Sequence, residues 1–313
     1  MSNRHLKVSS WASAALFLSL LGMFFSAPTK MARAIGKDSP RSTALPNPKT
    51  LVDEMVQNEL KAEKDDSTHW LFRKTVVKPG DSKTWEVVET KQGEVQRLVT
   101  VDGHPLNPQQ QQAEQQRLQQ FLRNRDEQKK KRETASSDFQ KEQALMKMLP
   151  NALLYSYDGK QDDLIRLTFK PNPDFKPTTR EAEVFHHMAG VLVINRSNMR
   201  LAEFRGRIIS RVNFGYGLLG HLDKGGAFDV KQQDVGSGHW DLTLLFTHIT
   251  GKALFFKTIS VSEKIVESNY HRVPNNLTLE QAANMLKSAS RSASQIKTPS
   301  RQSAEVAAAP HHH

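Results

Sequence analysis

Twelve histidines and no cysteine bound the chemistry open to this 313-residue chain. Without cysteine there is no disulfide, no thiolate metal site, no cysteine nucleophile and no lipidated N-terminal cysteine. The histidines do not fall into ligand spacing. His186 and His187 are adjacent, so on a helix they point about 100° apart and do not chelate one ion. His239, His248 and His271 lie on or beside predicted strands without a His-x-His pattern. Asp162 and Asp163 follow a turn and read as solvated. Gly215, Gly217 and Gly220 occur in Phe-Gly-Tyr-Gly-Leu-Leu-Gly. A phosphate loop needs that kind of glycine spacing between a strand and a helix, and here strands lie on both sides. The segment reads instead as a bent hairpin where glycine allows close backbone approach. There is no Gly-x-Ser-x-Gly elbow and no His-Glu-x-x-His. No catalytic residue, metal or cofactor is assigned, and the chain reads as a non-enzyme. A hydrolase built from His and Asp on separate strands is the remaining catalytic alternative, since triads carry no local signature.

The elements that would position any site are strands. Residues 190–274 read as five or six consecutive antiparallel strands. Over residues 201–214 the even positions are Ala202, Phe204, Gly206, Ile208, Ser210, Val212 and Phe214. The odd positions, apart from Leu201 and Ile209, are polar. That period of two assigns one face to a core or an apolar ligand and the other to water. Further on, Trp240, Leu242, Leu244 and Phe246 share one face of a strand at 239–249. Ala253, Phe255, Ile259 and Val261 share another. The candidate lining of an apolar cavity is therefore Phe204, Ile208, Val212, Phe214, Trp240, Leu242, Leu244 and Phe246.

The remaining elements come in order along the chain. Arg4 and Lys7 precede an uncharged apolar run at 11–25, and Ala32-Arg33-Ala34 offers small residues where a signal peptidase reads. Cleavage after Ala34 would send the mature chain to the periplasm or outside the cell. The run is short against the roughly 20 residues a membrane span needs, and the mature chain has no second one. Residues 35–48 read as a disordered leader. Leu51, Val52, Met55, Val56 and Leu60 recur at helical spacing over 49–63. Three short strands follow, carrying Trp70, Phe72 and Val76, then Trp85 and Val87, then Val95, Val99 and Val101. Residues 107–149 are rich in Gln and Lys. Leu118, Phe121 and Leu122 make a thin apolar stripe, and a second helix over 139–149 is expected to stop at Pro150. This insertion is expected to add little core and to be dispensable for folding. Strands resume at 152–157 and 164–170. Thr278 and Gln281 form a capping box for a closing helix that buries Leu279, Ala282, Ala283 and Leu286. Residues 288–313 read as a disordered tail. One domain thus spans 49–287.

Net charge is +11. The first 34 residues carry four of the 44 basic groups and no acid, which leaves 40 against 33. This mild excess suits an anionic surface such as lipid headgroups, but no basic-aromatic motif points to nucleic acid.

Gly190-Val-Leu-Val-Ile-Asn195, followed by Arg200-Leu-Ala-Glu-Phe204, resembles the strand turn of the periplasmic lipoprotein-carrier (outer-membrane lipoprotein-sorting) superfamily. The order of elements over 49–275 is similar too. The resemblance implies an α+β fold: a strongly curved antiparallel sheet of about eleven strands, a half-barrel, covered by a few helices. It also implies an apolar cavity that holds acyl chains. The long Gln/Lys-rich insertion and the basic balance depart from that pattern, and no ligand residue is carried over. The expected function is a non-enzymatic carrier or sensor of lipids or lipidated proteins in the cell envelope. The alternative is an envelope scaffold that grips another protein through the 107–149 insertion.

Overall fold

Asn47 starts the first helix: its side chain accepts from the Lys49 N–H, and Pro48 supplies a preset φ at the first turn. The computed structural model describes residues 46–253 and 257–295. Helix α1 (Pro48–Asp65) turns Leu51, Val52, Met55 and Val56 inward, as the spacing predicts. Strands β1 (His69–Lys78), β2 (Asp81–Thr90), β3 (Gly93–Val101) and β4 (His104–Pro105) follow. Helices α2 (Pro108–Arg123) and α3 (Arg125–Ala152) lead to β5 (Leu153–Gln161) and β6 (Leu164–Pro171). A 3-10 turn (Glu181–His187) opens the series β7 (Met188–Asn195), β8 (Arg200–Ile208), β9 (Val212–Phe214), β10 (Gly220–Leu222), β11 (Ala227–Gly236), β12 (His239–Ala253) and β13 (Lys257–Val273). Helix α4 (Leu279–Gln295) ends the described chain. Phe255 lies outside the described residues, as do the proposed signal peptide, most of the leader and most of the tail.

All thirteen strands belong to one antiparallel sheet, in the order β4-β3-β2-β1-β13-β12-β11-β8-β7-β6-β5, with β9 and β10 hung on β12. Eleven strands thus make the main path. The sheet is strongly curved and does not close into a barrel, and the fold is α+β. Pairing puts Val76, Ile265, Leu245, Val230, Phe204, Leu192 and Leu167 on one face, each opposite the next across seven strands. We call this the inner face. Helices α1 and α3 and the 3-10 turn cover its β5–β8 half, where Leu149, Phe185, Leu192, Leu201 and Phe228 share a core with Met55. Phe169, Phe204 and Phe228 meet there with ring centroids 5.1 Å apart in each neighbouring pair. They close over Gly206, where a Cβ would sit 2.9 Å from Phe228.

The outer face is covered at the other end. Val88 and Val95 pair across β2 and β3 and pack against Leu118 and Phe121 of α2 and Leu279, Ala282, Ala283 and Leu286 of α4. The insertion is therefore part of the core, contrary to the expectation from its composition. Three well-placed apolar residues suffice on a helix whose other faces are glutamine. Nor does the second helix start at 139. It is one element of 28 residues, about 42 Å long at 1.5 Å per residue. It runs from the β2–β3 turn, where Arg132 reaches the Gln92 carbonyl, to β5. Pro150 lies inside its last turn rather than ending it.

The capping box on α4 is present. Thr278 N donates to Gln281 Oε1 at 2.9 Å, and Gln281 N donates to Thr278 Oγ1 at 3.2 Å. Thr278→Ala should cost about 1 kcal/mol. A thermal melt would show this as a midpoint lower by roughly 2–4 °C.

Candidate functional site

The eight sequence-derived lining residues do not form one surface. β8 pairs Val193 with Glu203 but Ile194 with Leu201, so Ala202 is an extra residue and Leu201 turns inward. The alternation then runs as read from Phe204 to Ile208. The strand breaks at 209–211 and resumes as β9. Ile208, Val212 and Phe214 are buried in the large inner core, with Phe204 half-buried beside them. On β12 a second bulge intervenes: Lys231 faces Leu244 but Gln232 faces Leu242, which leaves Thr243 extra. Leu242 consequently packs with Val230, Leu245 and Ile265. Leu244 pairs with Val266 and Phe246 with Lys264, on the outer face. A strict period of two cannot foresee a residue inserted into a ladder.

Trp240 alone of the eight lines an open cleft. This cleft, of about 230 Å³, lies between the end of α1, the starts of β1 and β8, the β11–β12 turn and the end of β13. Asp66 organises it. It caps α1 through its own N–H to the Ala62 carbonyl at 2.9 Å, and its Oδ1 accepts from Thr68 N and Oγ1, each at 2.7 Å. Thr68 Oγ1 in turn accepts from the Trp70 indole at 3.1 Å. Asp66 Oδ2 meets His239 Nδ1 at 2.7 Å, and His239 Nε2 meets Asp241 Oδ2 at 3.2 Å. The imidazole stacks on Trp70 with centroids 4.9 Å apart. Burial opposes charge on this ring, but the hydrogen bonds it donates to Asp241 and Asp66 outweigh it and hold the His239 pKa above its ordinary value. His239 is thus an aromatic wall clamped by two carboxylates, with no nitrogen left for proton transfer to a substrate.

The turn opposite contains Gly236, Ser237 and Gly238, all at positive φ. At Gly236 a Cβ would stand 3.8 Å from the Trp70 ring, so the backbone lies close against the indole. Arg272 lines the cleft from β13 and is exposed. Trp240 Nε1 is buried without a hydrogen-bond partner. A buried donor left unsatisfied costs about 1–3 kcal/mol, and this one lies beneath the cleft wall rather than at its open surface. The cleft's volume is below the roughly 300–1,000 Å³ of sites for drug-sized ligands. It suits a small polar group bearing an acceptor.

Three further glutamates, Glu267, Glu59 and Glu142, are buried. Glu267 lies opposite Lys74 across β1–β13, with Oε1 3.3 Å from Nζ, and accepts from the Tyr270 hydroxyl at 3.0 Å. Burial pushes its pKa up to about 7 against the pull of Lys74. In the seam between α1 and α3, Glu59 holds Arg200 in a two-pronged pair at 2.8 and 2.9 Å and accepts from Leu201 N. Glu142 is buried there with one carboxylate oxygen lacking a hydrogen-bond partner. Burial first, then Glu63, Glu59 and Asp138, raise its pKa well above the usual carboxylate range. Arg200 and Glu63 belong both to this neighbourhood and to the cleft wall. These groups were missed in the sequence because their partners lie far apart in it: Asp66 and His239 carried no mutual signal. Among the described residues no cluster of three or more His, Asp or Glu is placed to hold a metal.

No protein-family model and no curated protein matches the sequence. Among solved structures, the chain is similar to the crystal structure of a DUF1329 family protein from Desulfovibrio piger. The identity is 9%, with a TM-score of 0.24, over 76% of this chain and 98% of that one.

Proposed function

We propose that the protein is a non-enzymatic binding protein of the cell envelope, a carrier or sensor of lipids or lipidated proteins. The observation that carries this reading is the seam between α1 and α3. An apolar sheet face is covered by two helices whose contact buries Glu142 without full hydrogen bonding. A cover serving stability alone would bury a hydrocarbon there. A buried carboxyl group with one oxygen unpartnered makes the contact easier to part than a hydrocarbon one. Parting it would uncover Leu167, Leu192, Leu201 and Phe204, where each acyl CH₂ would gain about 0.8 kcal/mol. The polar end of such a ligand would reach the adjoining cleft, where the exposed Arg272 supplies donors. No helix of the described residues is long and apolar enough to cross a membrane. The signal-like N-terminus supports export.

A fluorescent fatty-acid probe tests this. Binding is expected, and it should strengthen as rising pH ionises Glu142 and loosens the seam. Glu142→Gln should remove that pH dependence while leaving the fold intact. Absence of probe binding across pH 5 to 9, with no lipid co-purifying by mass spectrometry, would refute the reading.

A further inference from the structure

We infer that the β9–β10 loop is a docking element for an anionic lipid bilayer. Seven large apolar residues are exposed among the described residues, and four of them, Ile209, Tyr216, Leu218 and Leu219, fall within eleven positions. Tyr216 is fully exposed, at 103%, and Leu218 at 62%. The loop is not loose. Gly217 N and Leu219 N both donate to the Phe214 carbonyl, and Leu218 N to that of Gly215. Gly220 lets the loop press on β12, since a Cβ there would lie 2.3 Å from the Lys252 carbonyl. Phe214 and Val212 anchor its base in the inner core.

Tyr216 has φ +55° between two glycines. A third glycine would relieve the backbone strain and remove an exposed ring. The loop keeps an aromatic there at a cost in both backbone and solvation terms, which is the mark of a contact made with something outside the chain. The surrounding charge identifies what. Along residues 207–226, and on the strand ends at 252 and 257 beside the loop, stand Arg207, Arg211, Lys224, Lys252 and Lys257, all exposed, against one acid, Asp223. Asp223 lies 3.8 Å from Arg211 and 3.4 Å from His221. Glu181 and Glu183 sit on the neighbouring 3-10 turn. Tyrosine at the headgroup level, leucines below it and a basic collar above it match an anionic membrane interface.

The loop and the Trp240 cleft are at opposite ends of β12, about 45 Å apart measured along the strand at roughly 3.3 Å per residue. Sedimentation with sucrose-loaded vesicles of phosphatidylglycerol and phosphatidylcholine in equal parts tests it. The protein should bind these vesicles, bind pure phosphatidylcholine weakly, and be released by salt. Tyr216→Gly with Leu218→Ser should weaken binding by at least about tenfold, with no loss of thermal stability and unchanged fatty-acid probe binding. Arg211→Glu with Lys252→Glu should weaken binding to the anionic vesicles only. The exposed pair Val77→Ser and Leu164→Ser, the latter level with Asn195 and Arg200 at the far end of β7 and β8 from the loop, should change nothing. Failure of the wild type to bind either vesicle, or equal binding by the Tyr216/Leu218 variant, would overturn the inference. In the first case a protein would be the loop's partner.

Discussion

Replacing residues 109–134 by a short Gly/Ser linker is expected to leave the protein unfolded or insoluble. Leu118 and Phe121 are 1% and 5% exposed. Truncation of such residues costs about 2–5 kcal/mol each, against a total stability of about 5–15 kcal/mol. The excision also removes Glu114, whose carboxylate accepts from Leu98 N at 2.8 Å and pairs with Arg117 at 2.6 Å. It strips cover from Val88, Val95 and Leu286 on the outer face, and it deletes the first third of α3, which ties the β2–β3 turn to the helix. Phe121→Asp should give the same result in milder form. Expression yield, circular dichroism and a melt of each variant check this. A soluble variant melting within a few degrees of the wild type would restore the view that the insertion is an appendage.

That reversal shows where sequence reading stops. Composition judged 107–149 by its average, which is glutamine and lysine. The fold judges it by Leu118, Phe121, Leu145 and Leu149, spaced to reach two different cores. Local signals were legible where one element decided them. The apolar stripe of α1, the capping box and buried stripe of α4, the alternation from Phe204 to Ile208 and the glycine hairpin at 215–220 all depend on neighbours in sequence. So did the fold class, which follows from many strands joined by short turns. The candidate site was not legible. Its walls come from Asp66, Trp70, Arg200, His239, Trp240 and Arg272, and only the curvature of the sheet brings them together. The two bulges mattered as much. One inserted residue each, Ala202 and Thr243, sends Leu201 inward and Leu244 and Phe246 outward, and neither insertion carries a marker such as glycine.

The buried ionisable groups lead to the second large effect, a fall in stability as pH rises from about 5 to about 8. A group contributes with this sign when the folded state binds its proton more tightly than the unfolded chain does. Glu267 starts from 4.5 unfolded and reaches about 7 when folded, so its contribution declines between those values. The 2.5-unit difference corresponds to on the order of 3 kcal/mol as an upper bound, with Lys74, Asp241, Glu94 and Tyr270 facing it. Glu142, facing Glu59, Glu63 and Asp138, acts in the same direction from 4.5 upward. Asp229, raised by burial, acts in the same direction. His239 is held protonated between Asp66 and Asp241, so its stabilisation is complete below 6.5 and disappears as pH passes its raised folded value. His187 opposes them: burial first, then His186, lowers it, so it favours folding as pH rises towards 6.5. Four groups, two of them fully buried, against one part-exposed ring set the net sign. The melting midpoint should fall by roughly 10 °C between pH 5 and pH 8, taking about 2–4 °C per kcal/mol for a domain of this size. Calorimetry at constant ionic strength measures it. Glu267→Gln should flatten the profile below pH 7, and Glu142→Gln should lift the whole alkaline side. A midpoint that is level or climbs over that range would mean that these carboxyls are ionised and paired in the folded protein, and the α1–α3 seam would then be a firm contact rather than one ready to part.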